Sequence, residues 1–399
     1  MRAVVIQVTG LADVASPDLG GKTPLEAAST PVLDELASRG ILGLMRTIPE
    51  GAAPTVCLAT GSILGVDFAG EVPAPGAVAA AGAGVAVPPG MRAACLDLIA
   101  VGEQETGGPA VMETRFPELG DEDAVRLAEA LDEAVSSGGA RVHAGWGGNH
   151  VLVFPEAEAL ALAAPPDAML GRPLAEALPP EESSGALRAL MSRARVVLWD
   201  HPACTRLREG GVPAPSDVWP WGAGAGCTLP AFVDHFGVRG AAVAVTPLTR
   251  GMARLCGLDV EPAAGGGASL AERVERALAL GAEYEFVLLT VETVDHVRPR
   301  GGAVAKTEAV SRLDAEVLAP MVEGLRAAGG DWRLAVVADV TSSCTARCYT
   351  ADPVPFVVAT PRDAGRASAP RRRFTEREAR EQGIFLGDAH GLLERLLRR

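Results

Sequence analysis

Aromatic side chains supply only 4% of the 399 residues, so the core of this chain has to be packed from small aliphatic groups. A surplus of positive charge is missing too. The formal net charge is −14, which argues against nucleic acid as a partner, because phosphate backbones are held by clustered lysine and arginine. A locally basic pocket for a small anion stays compatible with it. No stretch reaches the roughly 20 apolar residues of a membrane helix, so no membrane partner is expected. The opening MRAVVIQVTG lacks the charged leader and apolar run of a signal peptide. The seven cysteines are odd in number and scattered, as in a reduced protein. Together these features set the expectation of a cytoplasmic chain. Cys344 and Cys348 have a spacing that zinc sites use, but no second pair and no nearby histidine completes a tetrahedral set.

What is present alternates. Apolar, β-branched runs at 2–8, 240–245, 285–291, 334–339 and 355–360 are separated by helical patterns such as ASLAERVERALALG. Buried strands interleaved with helices predict an α/β protein with a mostly parallel sheet flanked by helices. Thr30-Pro31 reads as the cap and first turn of a helix. Residues 72–90 and 155–190 are rich in Ala, Pro and Gly, a texture of linkers and insertion loops. The reading is a core made of residues 1–75 and 215–399, with an inserted α+β cap over 76–214. The basic stretch ASAPRRRFTERE reads as a solvated surface segment.

Several segments carry chemistry. LAVVAD delivers Asp339 to the end of a buried strand, where metallohydrolases place a ligand. GLAD (10–13), LGGKTPLEAASTPVLDELASRGILGLMRTI (19–48), SILGVDFAG (62–70), GNHVLVF (148–154), DHP (200–202), the WPWGAGAGCTLPAFVDHFGVRGAAVAV run (219–245), Lys306 to Asp314 and TADPVP (350–355) follow one pattern across nearly the whole chain. That pattern resembles cofactor-independent phosphoglycerate mutases of the archaeal type. The resemblance implies an alkaline-phosphatase-like core, an inserted cap, two divalent metals and a serine nucleophile.

Phosphoryl transfer through a covalent intermediate needs an activated nucleophile and neutralised equatorial oxygens, which two clamped metals supply. At the positions the resemblance assigns to this machinery, the residues differ. Thr9 stands where an aspartate is expected, and Val56 where the serine is. Pro299, Val340 and Tyr349 stand where histidines are expected, and Arg300 replaces an acid. Asp295 and Asp339 are the retained carboxylates. Arg250 stands for a lysine, while Cys95, Asn149 and Glu71 stand for arginines. Two oxygen ligands cannot fix two cations at the spacing phosphoryl transfer uses, so no metal and no cofactor is expected. Manganese or zinc enters only if the ligands have been rearranged.

Substitutes are Thr55, Cys57, His296 and Tyr349 as candidate catalytic groups. Cys57 falls at a helix N-terminus, which lowers a thiol pKa; its plainer reading is a small buried hydrophobe. His296, beside Asp295, reads either as a displaced ligand or base, or as a partnered surface group. Arg250, Arg300, His150, His201 and Arg206 are candidates for binding substrate. Three functional readings follow. The fold is reused, in a setting such as specialised metabolism, to bind or convert a small anionic metabolite without metal. Alternatively, the chain is an inactive scaffold or regulatory protein with a protein partner or a second copy of itself. The third is a residual mutase or phosphatase. Fold alone does not choose among them.

Overall fold

The computed structural model describes residues 2–68, 72–103, 108–162, 164–261, 269–296, 298–361, 363, 371–387 and 390–397, without the side chains of 137, 293, 296, 298–301 and 390. In chain order its strands are β1 (Arg2–Val8), β2 (Ile41–Met45), β3 (Met91–Glu103), β4 (Pro109–Glu113), β5 (Arg141–Trp146), β6 (Asn149–Pro155), β7 (Asp217–Gly224) and β8 (Gly240–Val243). There follow β9 (Asp259–Val260), β10 (Phe286–Val291), β11 (Trp332–Ala338), β12 (Thr341–Ser343), β13 (Cys348–Thr350), β14 (Val354–Ala359) and β15 (Phe385–Leu386).

The larger sheet runs in the order β15-β2-β14-β11-β1-β10-β8-β9. All its pairings are parallel except those of β14 with β11 and β2. The near-continuous apolar runs of β1, β10 and β11 are buried on both faces, as parallel strands covered by helices must be. Register makes these three strands end level, with Val8 opposite both Val291 and Ala338. Thr9, Glu292 and Asp339 therefore emerge side by side at the carboxyl edge, where open α/β sheets bind ligands.

The second sheet is antiparallel, ordered β4-β3-β6-β5 with β7 on the other side of β3. It has its own apolar core, covered by the helices Asp121–Val135 and Gly185–Asp200. β7 lies beyond 214 yet pairs with β3, so the second sheet runs past the expected boundary to Gly224. The reason is that the chain's return to the core is itself a strand.

Three local expectations are corrected. Residues 72–90 hold a buried helix, Pro75–Ala83, wedged between the second sheet and the helix Pro247–Leu255. Its Val78 belongs to one core and its Ala79 and Ala80 to the other. The small residues serve close approach rather than looseness: a Cβ at Gly82 would run into the Pro247 carbonyl, and one at Gly251 into the Val78 carbonyl. Thr30 holds the N-cap position but makes no capping bond; instead Val32 and Leu33 N–H donate to the buried Asp314 at 3.0 and 2.8 Å. The basic tail is not simply solvated. Arg373 donates to the Leu25, Glu26 and Ala28 carbonyls, and Phe374 is buried.

Candidate functional site

Between the carboxyl edge of the larger sheet and the second sheet lies a cavity of about 100 Å³. Its core wall includes Thr9, Thr55, Val56, Glu292, Asp295 and Tyr349, and its cap wall Cys95, Asp97, Arg115, Asn149, Asp167 and Trp221. Ala79 of the wedged helix sits at the joint.

The two retained carboxylates are met by hydrogen-bond donors of the chain itself. Asp339 is wholly buried. It accepts from Gly10 and Val340 N–H on Oδ1 at 2.9 and 2.6 Å, and from Gln7 Nε2 and Thr9 Oγ1 on Oδ2 at 3.1 and 2.8 Å. Burial pushes its pKa up to about 7, with these bonds acting in the opposite sense. Asp295 accepts from Ser342 Oγ at 2.6 Å and Tyr349 Oη at 2.7 Å. Ser342 is fixed in turn, because the buried Lys306 ammonium donates to its carbonyl at 2.7 Å and to Asp13 at 2.8 Å. Glu292 is held by Arg273 at 2.9 Å and Thr290 Oγ1 at 2.5 Å.

The pair of divalent cations implied by the resemblance does not fit these residues. Such a pair needs several anionic or imidazole donors converging on each ion. Val340 and Val56 offer no lone pair, Tyr349 turns its hydroxyl to Asp295, and Thr9 turns its own to Asp339. Among the described residues no three His, Cys, Asp or Glu side chains come together as a metal set.

On the cap side, Arg115 reaches into the cavity and pairs with Asp167 at 2.7 Å. Burial works against its charge, but Asp167, Tyr349, Asp295 and Asp97 together hold its pKa above the ordinary arginine value. Asp97 accepts from the Asn149 amide at 2.8 Å and the Trp221 indole at 2.7 Å. Burial raises its pKa to about 6.

The other candidates fall in different places. Thr55 lines the cavity, but its hydroxyl also caps the helix Val56–Ile63, accepting from Leu58 N–H at 3.3 Å. Cys57 is a correction: it is buried, does not line the cavity, and burial raises its thiol pKa instead of the helix lowering it. Arg250 is another. It is buried in the helix Pro247–Leu255, donates to the Gly82, Ala244 and Glu261 carbonyls, and fastens the wedged helix rather than facing the cavity. His201 caps the helix Pro202–Glu209 through its Nδ1, and Arg206 pairs with Asp123 on the cap surface at 2.5 Å. Neither lines the cavity. His150 borders it, with a buried imidazole whose Nδ1 accepts from Gly145 N–H at 3.3 Å. Burial lowers its pKa to about 4, so it is neutral. The side chains of His296, Pro299 and Arg300, and Glu71 as a whole, lie outside the described residues.

Sequence reasoning missed Asp97, Arg115, Asp167 and Trp221. A lone carboxylate inside the apolar run AACLDLIA was a legible signal for Asp97, and WPW for Trp221; nothing local marks the other two.

Fold and cavity together define a mixed α/β protein with a mostly parallel central sheet and a second, antiparallel sheet facing its strands' carboxyl ends. A family model described as 2,3-bisphosphoglycerate-independent phosphoglycerate mutase matches residues 37–204. A Geobacter sulfurreducens protein named as a probable 2,3-bisphosphoglycerate-independent phosphoglycerate mutase is 31% identical over 100% of both chains. A solved Pyrococcus horikoshii protein superposes with a TM-score of 0.69 at 23% identity, covering 99% of this chain and 96% of its own. The cofactor-independent phosphoglycerate mutase of Thermoplasma acidophilum does so at 0.54 and 23%, covering 100% and 99%. The chain belongs to the 2,3-bisphosphoglycerate-independent phosphoglycerate mutase family.

Proposed function

We infer that this family member has given up metal-dependent phosphoryl transfer and uses the cavity between core and cap to bind a small metabolite without metal. One observation carries the reading. The two carboxylates that the resemblance puts at ligand positions are already bonded by Ser342, Tyr349, Gln7, Thr9 and two backbone N–H groups, and by the same resemblance Val56 falls where the nucleophile is expected. Cations entering there would have to displace hydroxyls at 2.6 to 2.8 Å and would gain too few new donors in return.

The ligand was expected to be an anion held by arginines, and two of those arginines, Arg250 and Arg206, lie elsewhere. What supports a small-molecule site is the cavity itself, concave, largely apolar and set with a few convergent polar groups. The test uses the purified chain with manganese or zinc and 3-phosphoglycerate. Expected are no interconversion to 2-phosphoglycerate, no phosphorylated side chain by mass spectrometry, and no change in melting temperature with millimolar metal. Stoichiometric metal together with isomerase turnover would overturn it.

A further inference from the structure

We propose that Asp97 anchors a positively charged nitrogen, an ammonium or alkylammonium group, of the small molecule that enters the cavity. The proposal rests on the metal-independent binding reading above and goes beyond it by assigning the charge of the ligand. It begins with strand register. Asp97 and Cys95 alternate on one face of β3, with Asn149 directly opposite Asp97 and Trp221 opposite Cys95. All four line the cavity, so this face of the cap is what a ligand meets.

Asp97 is only 6% exposed, and both partners at its oxygens are neutral, an amide and an indole. A carboxylate removed from water requires a counter-charge as well as hydrogen bonds. Two other acids of the cavity have ion pairs, Asp167 with Arg115 and Glu292 with Arg273. Among the described residues Asp97 has no ion pair, and the guanidinium nearest in charge, Arg115, is already engaged by Asp167. Its raised pKa is the expected sign of a charge left incompletely compensated. A cation placed in the cavity would supply what is missing.

Charge is what would separate such a ligand from a phosphorylated acid. Among the described lining residues four carboxylates stand beside one guanidinium, with Asp167 paired to Arg115 and Glu292 to Arg273.

The experiment titrates the full, 15N-labelled chain with ethylammonium chloride, ethanol, sodium acetate and inorganic phosphate at constant ionic strength. The readout is the Trp221 indole N–H, which donates to Asp97 and is identified by its loss in Trp221→Phe. The expected result is a saturable shift with ethylammonium and none with ethanol, acetate or phosphate. In Asp97→Asn the ethylammonium affinity should fall at least tenfold. Saturation by acetate or phosphate without ethylammonium, no saturation by any probe, or undiminished ethylammonium binding in Asp97→Asn would each overturn the proposal. The wild-type comparison decides it even if the variant fails to fold. The broader reading has its own test in metal content and isomerisation, so a failed titration leaves that reading standing.

Discussion

Asp295 and Asp97 both lie in one cavity, yet their charge is met differently. Asp295 takes two hydroxyl donors, and Tyr349 is the one contributed across the β12–β13 hairpin. In Tyr349→Phe that donor disappears from a buried carboxylate, so we expect a loss of about 1–3 kcal/mol in stability, read as a lower urea midpoint. An unchanged midpoint would mean that the hydroxyl contributes nothing. Asp97 carries a pH dependence of its own. Its folded pKa of about 6 lies above the unfolded value of roughly 3.9, so the folded chain binds the extra proton between those limits. The stability this group adds is full below about pH 4 and is lost as pH rises through 6. Asn149 and Trp221 donate to it, while Arg115 favours and Asp167 opposes its charge. Asp97→Asn removes the titration. The variant should therefore gain on the parent as pH rises from about 4 to about 6, by on the order of 2 kcal/mol; a pH-independent difference in melting temperature would contradict this.

At the scale of elements, what the sequence revealed and what it hid have different physical causes. β1, β8, β10, β11 and β14 were legible because strands buried on both faces read as unbroken apolar runs. Asp339 was legible as their terminal carboxylate for the same reason. The wedged helix was hidden. Ala and Gly dominate both flexible linkers and tightly crossed helices, and composition alone cannot separate them. Likewise, the cap of the helix Pro31–Arg39 comes from Asp314, far along the chain, which no local pattern encodes. Arg250 looked like an anion ligand because charge is visible in a sequence and the carbonyls it fastens are not. The crossing itself makes a prediction. Gly251→Ala would drive a methyl group into the Val78 carbonyl, where backbone rather than a flexible side chain must yield. The expected cost is about 3 kcal/mol or more, measured by chemical denaturation, and a cost below 1 kcal/mol would show that the helices separate freely.

For the whole molecule, the family pattern was readable along nearly the full length, and so was the mostly parallel α/β sheet. The far side of the cavity was readable only through Cys95, Asn149 and His150. Asp97, Arg115 and Asp167 come from β3, from the segment after β4 and from the short 3-10 helix Pro166–Met169, and only the folding of one sheet over another brings them within reach of Asp295 and Tyr349. No helix of the described residues is long and apolar enough to cross a membrane.

The crossing at Gly82 and Gly251 also bears on motion. Two backbones in van der Waals register have no rotamers with which to absorb a swing, and Arg250 and Arg254 pin the same turn through the Gly82 carbonyl. The cap is thus welded to the core at its root instead of hinged. Small-angle scattering should record a single particle whose radius of gyration stays constant, within error, when a saturating ligand is added.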